Sequence, residues 1–190
     1  MKKGMKKTLR AALVCIIILS VICGIIYPAI VTFASQLCFN NKANGSIVTV
    51  KLKDGSEVSY GSKLIAQEFT EPKYLIGRPS NDNGPSNLSP VGKEQGKLVE
   101  ERIKWWHEFD PENKADIPMD LVTVSGSGVD PNISKDAAEY QVKRIAKARG
   151  INEEDVRKAI IKHTEGRTFG ILGESRVNVL MVNLELDKLI

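Results

Sequence analysis

The sequence predicts an α+β protein, with one N-terminal transmembrane helix followed by a single mixed α+β extracytoplasmic domain. Three observations carry this. Between Ala11 and Leu37 no side chain is charged and almost every residue is apolar. Further on, Asp54-Gly55 separates two β-prone runs. Two later segments open on the helix-capping residues Ser134 and Asn152 and close on Gly150 and His163. The expected boundaries are a basic cytoplasmic tail over 1–10, an anchor helix over 11–37 and the extracytoplasmic domain over 38–190.

The anchor comes first. About 20 apolar residues cross a bilayer as helix, because the hydrocarbon core leaves no water to bond a free backbone group. The run here exceeds that and is too long for the apolar core of a cleaved signal peptide, about 7–15 residues. It reads as a retained anchor, with Pro28 at a kink or near the outer end. Lys2, Lys3, Lys6, Lys7 and Arg10 place the N-terminus in the cytoplasm by the excess of bases on the inner side. The remaining chain, with 22 bases against 23 acids, then lies outside. A nucleic-acid binder carries its basic excess as a patch on the folded domain, so the formal net charge of +4, held in the tail, argues against nucleic acid. Cys15 and Cys23 fall within the span and Cys38 at its outer end, with none further on, so the domain depends on its own core rather than on disulfides.

Within the domain, Ile47–Leu52 and Glu57–Tyr60 flank Lys53-Asp54-Gly55-Ser56, a hairpin signal because Gly accepts the positive φ of a tight turn. Gly61–Phe69 reads as a short helical piece. Gly77–Pro90, dense in Gly, Pro, Ser and Asn, reads as a loop. A helix is expected over Lys97–Glu108, ending near Trp105 and Trp106. Another runs from a Ser134 cap to Gly150, and a third over Glu153–His163 has three acids in its first turn. In Val177–Leu186, Leu180, Val182, Leu184 and Leu186 alternate, which favours a strand over a helix.

Two polar clusters invite chemical readings. Ser125-Gly126-Ser127-Gly128 with Asp130 resembles a phosphate cradle, yet no Lys stands where a P-loop needs one, and Pro131 occupies the place of the third Gly of a dinucleotide fingerprint. A polar turn leading to the Ser134 cap is the simpler reading. His163-Thr164-Glu165-Gly166-Arg167 offers an acid/base or metal site, but with only His107 and His163 in the chain no metal-ligand spacing arises. It reads as a helix terminus, with His163 on the last carbonyls, Gly166 closing the helix, and Glu165 pairing with Arg167. No catalytic residue and no metal site are expected.

The order of several blocks is distinctive: Gly24-Ile25-Ile26-Tyr27-Pro28, Gly61–Gln67, Gly77-Arg78-Pro79-Ser80, Gly84–Leu88, Pro118–Ser134, Gln141-Val142, Ala148-Arg149-Gly150, His163–Arg167 and Arg176–Leu180 through Asn183-Leu184. Together they closely resemble the C subunit of the bacterial Kdp potassium-transporting ATPase (the KdpC family), from about residue 9 to 187. The chain departs from the usual pattern at Asn132, at Ser175 and in a shorter Gly77–Leu88 loop. The resemblance implies a non-catalytic accessory subunit of an ATP-driven potassium import complex in the cell membrane. Its partners would be a channel-like potassium-translocating subunit, a P-type ATPase subunit and a small stabilising subunit. It also implies no cofactor of the chain's own, with ATP bound by the ATPase subunit. A catalytic-chaperone role proposed for the family would place ATP near Ser125, Gly126, Ser127, Gly128 and Asp130, which conflicts with an external domain. Candidate partner contacts are Gly24, Tyr27, Pro28, Arg78, His163, Glu165 and Arg167 from these blocks, together with Trp105 and Trp106. A free-standing membrane-anchored interaction domain is the alternative.

Overall fold

The computed structural model describes residues 2–52, 54–80 and 84–190; Lys53 of the expected hairpin turn and Asn81, Asp82 and Asn83 of the expected loop lie outside them. The chain divides into two compact units, Met1–Ser46 and Ile47–Ile190.

The first unit is a helix, α1 (Lys2–Val21) and α2 (Tyr27–Ala43), joined through a π-helical turn at Ile22–Ile26. Pro28 explains the wider turn. It has no N–H to offer the carbonyl one turn back, and the Tyr27 N–H bonds instead to the Ile22 carbonyl, five residues earlier. The helix that carries the apolar run, Gly4–Ala43, is 40 residues long, about 60 Å against a hydrocarbon core of about 30 Å. Its end is polar: Gln36, Asn40 and Asn44 bond one another through their side-chain amides.

The second unit is a mixed domain. Strands β1 (Ile47–Lys51) and β2 (Glu57–Ser62) pair antiparallel, with a bulge at Val48/Thr49. Gly55 turns the hairpin at φ +85°, and the Asp54 carboxylate accepts from the Ser56 amide. Helix α3 (Lys93–Phe109) starts four residues earlier than the sequence suggests. A second sheet has the order β3 (Asn132–Ile133), β5 (Arg176–Asn178), β4 (Thr164–Glu165), all antiparallel. Around it pack α4 (Lys135–Glu139), α5 (Val142–Arg149), α6 (Glu153–Lys162) and α7 (Val179–Leu186). The core includes Leu75, Trp106, Leu121, Ile145, Val156, Val177 and Val182.

Four sequence expectations are corrected. Gly61–Phe69 is not helical: Gly61 sits at φ +114°, the Ser62 hydroxyl accepts from the Leu64 amide, and the Ala66 amide bonds the Val129 carbonyl. Those bonds replace helical ones. The helix capped by Ser134, whose Oγ accepts from the Ala137 amide, breaks at Tyr140-Gln141 into α4 and α5. There the buried Gln141 amide reaches back to the Ala137 carbonyl and across to Ile76. Gly150, at φ +65°, ends α5 as expected. Helix α6 ends at Lys162 rather than Gly166; the His163 side chain meets Glu185, not the last carbonyls, and Glu165 pairs with Arg176, not Arg167. Finally, Val177–Leu186 is strand only to Asn178, whose side chain accepts from the Met181 amide and starts α7. Period-two reasoning presumes one wet face, whereas Val179, Leu180, Val182, Asn183 and Leu184 of α7 are all buried.

One feature organises the domain. Residues 72–76 form no strand, yet their main chain is bonded almost throughout by side chains of the helical layer. Arg149 donates to the Lys73 carbonyl (2.7 Å) and Arg144 to those of Pro72 and Tyr74. Asn183 bonds both the N–H and the C=O of Leu75 (2.7 and 2.9 Å), and Gln141 both those of Ile76 (2.9 Å each). Burial pushes the Arg144 guanidinium down to about 10, with Asp110 and Tyr140 opposing the shift, so it stays charged at neutral pH. Replacing Asn183 with Leu keeps the bulk and strands two buried main-chain groups, a cost of about 2–6 kcal/mol. Thermal unfolding of the detergent-solubilised chain should show that loss, several-fold beyond any effect of Lys188→Leu near the exposed C-terminus.

Candidate functional site

A cleft of about 480 Å³ opens beside this clamped segment, walled by Ile76–Ser80, Ile65–Phe69, one face of α3 and the Asp130-Pro131 turn. Each wall has a cause in the sequence. On α3, Arg102, Trp105 and Trp106 lie three and four residues apart and so share one helix face. The two tryptophans divide the work. Trp106 is 2% exposed and donates its indole N–H to the Leu121 carbonyl (3.0 Å), whereas Trp105 is 42% exposed at the cleft. Trp105 stacks on Phe109, with ring centroids 4.6 Å apart and planes at 14°.

Arg102 donates to the Val122 carbonyl (2.9 Å), and burial pushes its guanidinium below the ordinary arginine value. Arg78 donates to the carbonyls of Thr123 and Val124 (3.3 Å each) and to Thr123 Oγ1 (3.1 Å). Its Nη1 lies 3.7 Å from Asp120. Asp120 in turn accepts from the Ser134 amide (2.7 Å) at the start of α4. The carbonyls of 121–124 are thus bonded one after another by Trp106, Arg102 and Arg78, which ties that segment to two of the elements lining the cleft.

The Ser125–Gly128 block is a closed turn beside the cleft. The Gly128 amide bonds the Ser125 carbonyl (3.1 Å), the Ser125 hydroxyl accepts from the Asp130 amide (3.3 Å), and the Ser127 hydroxyl accepts from the Val129 amide (3.2 Å). Asp130 accepts both from the amide and from the side chain of Asn132. Gly128 has φ +78°, and a Cβ there would lie 2.4 Å from the Gly84 carbonyl oxygen. The second Gly is therefore required for packing against another turn. Both hydroxyls accept from main-chain amides, no Lys or Arg stands in 124–131 and Asp130 adds an acid, so the block lacks the cationic side chain that a P-loop brings to its phosphates.

The remaining sequence candidates lie elsewhere. His163 Nε2 is 3.4 Å from a Glu185 oxygen that Lys162 Nζ also approaches, at 2.6 Å. Lys162, and then His163, hold the Glu185 carboxyl below the usual range. Glu165 is the second residue of β4, and Arg167 lies two residues beyond it. Gly24, Tyr27 and Pro28 belong to the helical unit, all exposed, and a Cβ on Gly24 would meet open space. Among the described residues no cluster of His, Cys, Asp and Glu is arranged to hold a metal ion. Sequence reasoning missed Arg102, although its spacing from Trp105 and Trp106 was a usable signal.

The profile of the family described as "KdpC: K+-transporting ATPase, c chain" matches residues 9–188. The chain belongs to the KdpC family. Similar KdpC relatives include the potassium-transporting ATPase KdpC subunit of Listeria monocytogenes serovar 1/2a, 51% identical over 180 residues, or 95% of each chain. Those of Clostridium perfringens and Sorangium cellulosum are 45% and 44% identical, over 95% and 94% of this chain and 97% and 96% of theirs. The KdpC match includes both the long apolar helix and the mixed domain.

The two tryptophans give a clear expectation. Trp106→Ala should cost about 3–5 kcal/mol as a core truncation, and Trp105→Ala less than about 1.5 kcal/mol at its half-exposed position. Denaturant unfolding of both variants measures the difference; equal losses would make Trp105 a core residue rather than a docking one.

Proposed function

We propose that the chain is a non-catalytic accessory subunit of an ATP-driven potassium import complex, needed for its assembly and for coupling. The apolar helix crosses the membrane with its N-terminus in the cytoplasm, and the mixed domain stands outside. There it docks on the channel-like potassium-translocating subunit near the potassium entrance, within a complex that also holds a P-type ATPase subunit and a small stabilising subunit. The five bases of the first ten residues support this orientation.

The observation that carries the reading is the kind of chemistry the cleft assembles. Its guanidiniums are committed to main-chain carbonyls, its floor is core, and what it offers outward is an aromatic face and a preformed groove. That is equipment for recognition, since a preformed surface loses little entropy on binding. A nucleotide-affinity role for Ser125–Gly128 has less support, because that turn is closed on itself and an external domain does not meet cytoplasmic ATP.

A topology reporter fused after Ile190, combined with purification through the same end from mildly solubilised membranes, tests the proposal. The reporter should be active outside, and a P-type ATPase and a polytopic companion should be recovered with potassium-stimulated ATP hydrolysis. A reporter active in the cytoplasm overturns the docking role and revives the nucleotide one. A chain recovered alone overturns membership of such an assembly.

A further inference from the structure

Between β4 and β5, Thr168–Leu172 forms a small closed turn with an unusual cargo. Thr168 and Leu172 exchange both main-chain hydrogen bonds (2.9 and 3.0 Å), the Gly170 amide bonds the Arg167 carbonyl (3.0 Å) and the Ile171 amide the Thr168 carbonyl (3.2 Å). The turn is therefore built rather than loose. Its outward side chains are apolar: Phe169 is 90% exposed, Ile171 78% and Leu172 61%.

The backbone makes this more telling. Phe169 and Gly170 have φ +55° and +75°, the two consecutive left-handed positions that tight turns ordinarily fill with Asn or Gly. A bulky side chain at positive φ is strained, and at 90% exposure the ring gains nothing from the fold in return. The ring is therefore free to make a contact outside the chain.

We infer that the Thr168–Leu172 turn is a preformed apolar knob that inserts into an apolar socket on another protein subunit. This rests on the accessory-subunit reading and names a second contact for it. Three arguments select the occupant. The three side chains expose on the order of 400 Å² of apolar surface, within the range at which a patch marks an interaction site. That is about half of the ~800 Å² one partner contributes to a standard interface, so the knob alone does not hold two copies of this chain together; it serves as an anchor within a larger contact. Along the flanking chain, 165–176, the charges cancel: Glu165 pairs with Arg176, and Arg167 stands against Glu174, so this stretch carries no basic excess for an anionic lipid surface. Next to the base of the knob, Gly166 borders a second cleft of about 450 Å³, where the 71% exposed Ile161 stands among two bases, Lys135 and Arg157, and two acids, Asp136 and Glu139, whose charges also cancel.

The test uses the full chain in its own membrane, with the photoreactive substitution Phe169→p-benzoylphenylalanine and the same residue at Val91, 95% exposed, as the control. Illumination should join position 169, but not 91, to one companion polypeptide. Adducts between two copies, lipid adducts alone, or no adduct while the complex is recovered intact would each overturn the knob and leave the accessory-subunit reading standing. A chain recovered without companions would overturn both. Phe169→Gly supplies the second arm. It removes the strain at positive φ, so thermal stability should hold or rise, while recovery of the companion should fall about ten-fold, as for loss of an interface anchor. Unchanged recovery with Phe169→Gly contradicts the proposal.

Discussion

Leu75 and Ile76 each place an amide and a carbonyl in the interior with no strand beside them, and two carboxamide side chains, Asn183 and Gln141, answer all four groups. A buried main-chain group without a partner costs about 1–3 kcal/mol, so this irregular segment can be buried only where those amides stand. They arrive from different helical segments, α7 and the break between α4 and α5. Both must pack before the segment can settle. Arg144 and Arg149 extend the same device back to Pro72. In effect the helical layer supplies, side chain by side chain, the partner strand that the fold lacks.

The cleft inherits its shape from that constraint. Ile76 leads directly into Gly77–Ser80, one wall, and residues lining the cleft serve a second irregular segment by the same logic, with Trp106, Arg102 and Arg78 bonding the carbonyls of 121–124. Long polar side chains serving main-chain groups make a groove whose walls do not depend on a ligand for their form. A domain built this way presents a preformed groove, and the exposed Trp105 edge and the Phe169 turn are among its outward apolar features.

Much of this was legible locally. The apolar run, the Asp54-Gly55 turn, the Ser134 cap and the left-handed Gly150 all express rules that act within a few residues, and all were found. What escaped was long-range. Nothing near Asn183 announces that its amide serves Leu75, and Gln141 looked like an interior helix position although it breaks the helix to reach Ile76. The alternation over Leu180–Leu186 misled because α7 is wrapped by the core, so its pattern has no solvent face to report. Of the sequence candidates, Arg78, Trp105, Trp106 and Asp130 line one cleft, whereas His163 and Glu165 belong to the β4 corner. Proximity in a family block was no guide to proximity in space, while helix spacing, which would have added Arg102, was.

Amide hydrogen exchange at Leu75 and Ile76 in the full chain tests the central constraint most directly. Residues outside any helix or sheet ordinarily exchange through small local openings. Here both amides should be protected to the level of core α5 and α7 amides, because releasing them requires Asn183 and Gln141 to leave the interior. Exchange at the rate of exposed loop amides would contradict the account, and with it the claim that the cleft is held in shape before any partner arrives.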